Sequence, residues 1–209
     1  ASATHPADAR RARGRRSAAG SPRRHRSAEA ARRRAAGSRA RGLRGSTSAA
    51  AAGVASRRTP TGGSAQGFLI VHESVAEETK KIFQELFEHA FVIQEIQPAS
   101  AHAGYDDHLM ATNTTSAFNC RRVTGGKSFS KHSYGKAIDI NPLWNPYVKG
   151  KKVMPPMGKP YAVRRDKLSQ PGLLRATSLP VQLFKKAGWQ WGGDWKSLKD
   201  YQHVEKKPI

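Results

Sequence analysis

The chain has 209 residues and a formal net charge of +22. That length suits one ordinary domain, and a single cysteine, Cys120, excludes an internal disulfide. The first apolar run, GFLIVHE at 67–73, is far too short to cross a membrane, and neither a secretory signal nor an internal repeat is visible.

The charge is unevenly placed. Residues 1–63 carry 16 Arg, no Lys and two acids, Asp8 and Glu29; the other 21 basic residues face 13 acidic ones. Every Trp, Tyr and Phe lies after residue 63. With only Leu43 and Val54 as larger aliphatics, residues 1–63 bury too little apolar surface to offset the entropy of ordering, and disorder is expected. Such a segment fits a solvated tail, a basic arm binding nucleic-acid phosphates by counterion release, or GC-rich sequence translated from a start set too far upstream. Charge runs are most often solvated, which places nucleic-acid binding behind the other two.

Folding is expected over residues 64–209. GFLIVH at 67–72 reads as a first strand. In the following SVAEETKKIFQELFEHA, Ser74 and Glu77 form a capping-box pattern. Val75, Ile82, Phe83, Leu86 and Phe87 recur there at helical spacing, predicting a helix over 75–89. FVIQEIQ at 91–97 reads as a strand ended by Pro98, YDDHLMATN as a short helix, and SAFNCRRV at 116–123 as a strand leading to a turn at Gly125 and Gly126. The prolines and glycines of NPLWNPYVKGKKVMPPMGKPY forbid a long helix. LPVQLFKKA at 179–187 predicts a second helix, with Ser178 as N-cap, Pro180 in the first turn and Gly188 as the stop. WQWGGDW and DYQHVE follow as short strands. The order predicts an α+β fold: a small single domain with a mainly antiparallel sheet and flanking helices, after a disordered Arg-rich segment.

Chemistry concentrates in SKHSYGKAIDINP at 130–142. Gly135 lets the chain turn after His132, and KAIDI returns as a half-buried strand. Asp139, set between Ile138 and Ile140, is costly there unless paired or bound to a metal. His203 in DYQHVE is the candidate third donor. A His₂Asp set with one open position suits catalytic zinc, which lowers the pKa of water toward about 7. Asp200, three residues before His203, is the candidate base. His108, beside Asp106 and Asp107, is the rival ligand; His72, His89 and His102 are expected at helix ends and loops. Cys120 raises a thiol mechanism, against which a buried structural cysteine is expected.

With these residues in place, SKHSYGKAIDINP matches the signature S-x-H-x-x-G-x-A-x-D through Ser130, His132, Gly135, Ala137 and Asp139. It resembles the zinc D-Ala-D-Ala carboxypeptidase and L-Ala-D-Glu endopeptidase family (VanY-type, LAS metallopeptidases), which includes phage endolysins. WGGDWKSLKDYQHVE looks like that family's closing motif, and FNCRRVTGG and NPLWNPYV resemble a bacterial branch. The core motifs span 112–205. The resemblance implies His132, Asp139 and His203 as zinc ligands and Asp200 as the base. It also implies an Arg for the substrate carboxylate or the oxyanion: Arg121, with Arg122 as the alternative, since adjacent strand residues face opposite sides. Ser130 is expected to orient the loop or a ligand. Trp189 and Trp191 are placed either on the substrate groove or in the core. The implied partners are peptidoglycan peptides, met at the cell envelope or by a phage lysin, and a monomer is expected. Val204, where many relatives carry an aromatic, departs from the pattern. A non-catalytic metal-binding protein of wall or nucleic acid is the alternative, and the intact Asp200 argues against it.

Overall fold

The computed structural model describes residues 50–123, 126–163 and 165–206. The Arg-rich segment through residue 49 lies outside the described residues, as does Gly125 of the expected turn. The strand β1 (Ala50–Arg58) pairs antiparallel with β2 (Ser64–His72) across a turn in which Gly63 N donates to Thr59 Oγ1 at 3.0 Å. The boundary expected at residue 63 is therefore corrected: folded chain reaches back at least to residue 50. Ladder hydrogen bonds hold this Ala-rich strand, and Arg57 and Arg58 anchor its end. Arg57 Nη1 donates to Ile93 O at 3.0 Å, and the Arg58 guanidinium lies 4.3 Å from the centre of the Phe87 ring.

The helix α1 (Glu73–Glu88) follows directly and buries Val75, Thr79, Ile82, Phe83 and Leu86. Burying a side chain such as Phe83 contributes about 1.5–3 kcal/mol. Its N-cap is His72, whose Nδ1 accepts from Ser74 N at 3.1 Å, so Ser74 sits inside the first turn rather than at the cap. The expected strand at 91–97 shrinks to β3 (Glu95–Ile96), parallel to β4 (Thr114–Thr115); the short helix α2 (Asp106–Ala111) forms between them. Residues 116–123, expected as a strand, form only isolated bridges, Ser116 to Asp139 and Arg122 to Phe129. Their backbone groups go to different segments, Phe118 N to Ile70 O and Asn119 N to His132 O, so no ladder develops.

The C-terminal part supplies β5 (Ala137–Asp139), β6 (Tyr147–Lys149), β7 (Lys152–Met154), the short helix α3 (Lys159–Ala162), α4 (Leu179–Lys186), β8 (Trp189–Trp191), β9 (Lys199–Asp200) and β10 (His203–Lys206). The α+β class and the antiparallel preference hold, but among the described residues the strands divide into four small sheets, β1-β2, β3-β4, β5-β10-β8 and β7-β6-β9. The central strand of the third is β10, not the Asp139 strand. Ser178 does not cap α4 with its side chain; its Oγ accepts from Arg175 N at 3.0 Å.

Two features hold the site sheet in place. Glu78 on α1 accepts from Trp189 Nε1 and from Lys206 Nζ, both at 2.8 Å, tying β8 and β10 to the helix. Beneath the loop after β5, Asn145 Oδ1 accepts from Leu174 N and Arg165 Nη2, both at 2.7 Å, and buried Arg165 stacks 4.1 Å from the centre of the Tyr201 ring. Arg165 thereby supports the turn between Asp200 and His203.

Candidate metal centre and its groove

Ser130 caps a one-turn 3-10 helix, Lys131–Tyr134, its Oγ accepting from His132 N at 3.3 Å. Gly135 ends that turn with φ +63°, and a Cβ there would lie 2.6 Å from His72 N, which donates to Gly135 O at 2.9 Å. Only glycine allows both the left-handed turn and this approach of the loop to the end of β2. From there β5 carries Asp139 directly opposite His203 on β10.

The three side chains are buried and converge. His132 Nε2 lies 3.2 Å from His203 Nδ1 and 3.1 Å from Asp139 Oδ2, and His203 Nδ1 lies 3.0 Å from Asp139 Oδ1. The outward nitrogens are committed: His132 Nδ1 donates to Ala117 O at 2.6 Å and His203 Nε2 to Glu205 Oε2 at 3.1 Å. With those outward protons fixed, the two inward nitrogens face one point beside a carboxylate, and they present lone pairs there once a metal displaces the proton that His203 otherwise shares with Asp139. Ligands about 2.0–2.2 Å from a tetrahedral zinc stand ~3.3 Å apart, close to the spacing here. The donor set fits a metal, and it forms one group whose ligand atoms lie within 4.8 Å of one another.

The field at that point is negative. Burial alone would depress the His203 imidazole, but its hydrogen bonds to Asp139 and Glu205 raise its pKa to about 10. Burial opposes ionisation of Asp139 as well, yet the two histidines hold its pKa far below the carboxylate range. Glu205 follows the same pattern, lowered by His203 against its own burial. This carboxylate was not singled out from sequence, although the signal was there: in a strand, residues two apart share a face.

Asp200 sits across a groove of about 600 Å³ that His203, Arg121, Ser130 and Trp195 also line. It pairs with Tyr147 of β6, and Gly192 makes room, since a Cβ there would meet Asp200 O at 2.5 Å. Burial, opposed by the charge of His203 and reinforced by Asp139, pushes the Asp200 pKa up to about 6. Its Oδ1 is buried with no hydrogen-bond partner among the described residues.

Arg121 lines the groove, whereas Arg122 turns outward, donating to Lys127 O and stacking on Phe129. Arg121 Nε lies 3.0 Å from Asp106 Oδ1, an ion-pair distance without hydrogen-bond geometry, so Nε is left with no hydrogen-bond partner among the described residues. Asp106, on α2, is a second residue that sequence reading missed. Trp189 and Trp191 are core residues and not groove walls: Trp189 packs edge-on against Phe184 at 5.2 Å, and Trp191 donates to Tyr201 O at 2.8 Å. The tryptophan on the groove is Trp195, 5.4 Å from the His203 ring, with Phe129 and Tyr147 as the other aromatic residues lining it. Cys120 is exposed rather than buried and does not line the groove. His108 stacks on His102 with ring centres 4.9 Å apart, outside the donor group.

Residues 124–206, which hold all three donors and Asp200, match the family described as D-alanyl-D-alanine carboxypeptidase. This is the family that the sequence resembles. Residues 79–145 also match the family described as extensin-like protein C-terminus. Among curated proteins, the peptidoglycan L-alanyl-D-glutamate endopeptidase CwlK of Bacillus subtilis (strain 168) is 54% identical over 28 residues, 13% of this chain and 17% of that protein. The aligned stretch thus spans about a sixth of that relative's length. No solved structure matches the chain. The carboxypeptidase-family match stops short of Arg121 at its N-terminal end, so the groove-facing Arg rests on geometry alone.

Proposed function

We propose that this chain is a zinc-dependent peptidase hydrolysing peptidoglycan stem peptides at the cell envelope. The observation that carries the reading is the convergence of His132, Asp139 and His203 beside a buried, unpartnered Asp200 oxygen. The match to the carboxypeptidase family and the short identity to a peptidoglycan endopeptidase support the substrate class.

When bound, zinc supplies a Lewis acid that polarises a carbonyl and lowers the pKa of water. The chain's residues do the rest. His132 and His203 present fixed lone pairs, with Ala117 O and Glu205 setting their tautomers. Asp200, with a pKa near 6, is ionised at neutral pH, takes a proton from the attacking water and returns it to the leaving amine. Arg121 offers its terminal nitrogens to the substrate carboxylate or to the oxyanion. Ser130 holds the His132 turn.

Removing metal with a chelator, checked by elemental analysis, is expected to abolish hydrolysis, and zinc to restore it. Mass spectrometry of digested muropeptides names the bond: loss of terminal D-Ala marks a carboxypeptidase, and separation of L-Ala from D-Glu an endopeptidase. Stoichiometric zinc without peptide release would make the chain a non-catalytic metal-binding protein.

A further inference from the structure

The stretch between Asp139 and Asp166 holds four Lys, two Arg and no acid. Its lysines are not scattered. In the β6–β7 hairpin Lys149 stands directly opposite Lys152, with Gly150 (φ +57°) and Lys151 as the turn. Like charges facing each other across a hairpin destabilise it. Here nothing compensates: Lys149, Lys151, Lys152 and Lys159 are all exposed, and none forms an ion pair among the described residues. A fold with no use for this pair would gain by replacing one lysine with an acid.

The hairpin separates two concavities. Lys149 lines the groove that holds Asp200 and His203. On its other side, a cleft of about 510 Å³ is lined by Lys151, Lys152 and Lys159 with Asp107 as the lone acid, beside Met154, Pro155 and other residues. Met154 lines both, so the two adjoin at that residue. A polymer whose scissile peptide lies in the groove and whose strand continues past Met154 meets a cationic wall.

We propose that the β6–β7 hairpin and the lysine cleft behind it form a docking surface for the carboxylates of the peptidoglycan strand beyond the peptide being cut. The inference rests on the peptidase reading for its choice of polymer. Unpaired exposed cations along a concave wall concentrate a polyanion and speed its encounter, with strong dependence on salt. The surface acts on polymeric substrate; a short soluble muropeptide fills the groove without reaching it.

The test is co-sedimentation of the full chain with insoluble peptidoglycan over a range of salt, set beside turnover of a soluble muropeptide. The triple variant K151Q/K152Q/K159Q, none of whose changes lines the groove, is expected to bind the sacculus about tenfold more weakly at low salt and to cleave the soluble fragment at the wild-type rate. Lys152→Glu is the control for folding. It places an acid opposite Lys149, so melting temperature is expected to hold or rise while sacculus binding falls. Amidating the sacculus carboxylates is expected to reproduce the loss. Unchanged binding by the triple variant overturns the proposal. So does binding that survives amidation but disappears when phosphate polymers are stripped from the wall, which would assign the surface to phosphodiesters. Failure of the wild type to cleave the soluble muropeptide would instead sink the peptidase reading, leaving the sedimentation result to be read separately.

Discussion

His132, Asp139 and His203 have every ring nitrogen and both carboxylate oxygens engaged with one another, with Ala117 O or with Glu205. Asp200, across the same groove, keeps a buried oxygen with no hydrogen-bond partner among the described residues. Buried polar groups are normally satisfied, and an orphan marks either strain or a role completed by something that arrives later. The difference separates two duties. The donor side is set at folding, by opposite positions on β5 and β10 and by a one-turn helix that Gly135 closes. The Asp200 side is left open, as the proposed base requires. Changes on the donor side should therefore act through metal content, and changes on the base side through turnover.

The largest effect is expected from Asp139→Ala. It leaves two imidazoles with no carboxylate between them, and both bound zinc and hydrolysis should be lost, read by elemental analysis and muropeptide turnover. Retention of stoichiometric metal would remove Asp139 from the donor set. Next is Asp200→Asn, which should keep the metal and lower kcat by about 10²–10⁴-fold. Loss of metal along with turnover would make Asp200 a ligand and erase the contrast between the two sides.

The pH profile sharpens the same contrast. If Asp200 is the base it works only when ionised, and burial raises its pKa to about 6. Activity should therefore climb with pH through an acid limb and flatten above it. A bound cation stabilises the ionised form, as His203 does, which places the limb at or below about 6. The residual activity of Asp200→Asn should lack this limb. A limb that persists in the variant belongs to another group.

A smaller effect is expected from Glu205→Gln. An amide can accept the His203 Nε2 proton but supplies no negative charge. Metal affinity should fall about 10–100-fold, measured by competition with a chelator, while kcat of the fully loaded enzyme changes little.

How far these elements could be read in advance follows from their physics. The convergence of His132, Asp139 and His203 was legible because a carboxylate between two isoleucines is costly without a partner, and because Ser130, His132, Gly135, Ala137 and Asp139 match the signature of the family the sequence resembles. The helix α1 was legible from five apolar positions at helical spacing, although its cap fell to His72 rather than Ser74. The strand β1 was not, because AAAGVASRR shows no alternation; its order comes from pairing with β2, a tertiary effect invisible to composition. Trp189 and Trp191 carried a signal that pointed inward. Two residues apart on a strand they share one face, and that face packs on α1 and α4. The remaining strand residue, Gln190, is half-buried.

The smallest effect tests a residue that no motif indicated. Asp106 lies 3.0 Å from Arg121 Nε, an ion pair without hydrogen-bond geometry, with each side chain about a quarter exposed. Partly exposed ion pairs of this kind contribute about 1 kcal/mol or less, so Asp106→Asn should cost about fivefold at most. The direction of that cost discriminates. If Asp106 only orients the guanidinium, KM should rise and metal content and the acid limb should stay fixed, with Asp106→Glu recovering part of the loss. If instead Asp106 shares in proton transfer, kcat should fall and the acid limb should move. Either outcome separates groups that position substrate from groups that move protons, the division on which the two sides of this groove differ.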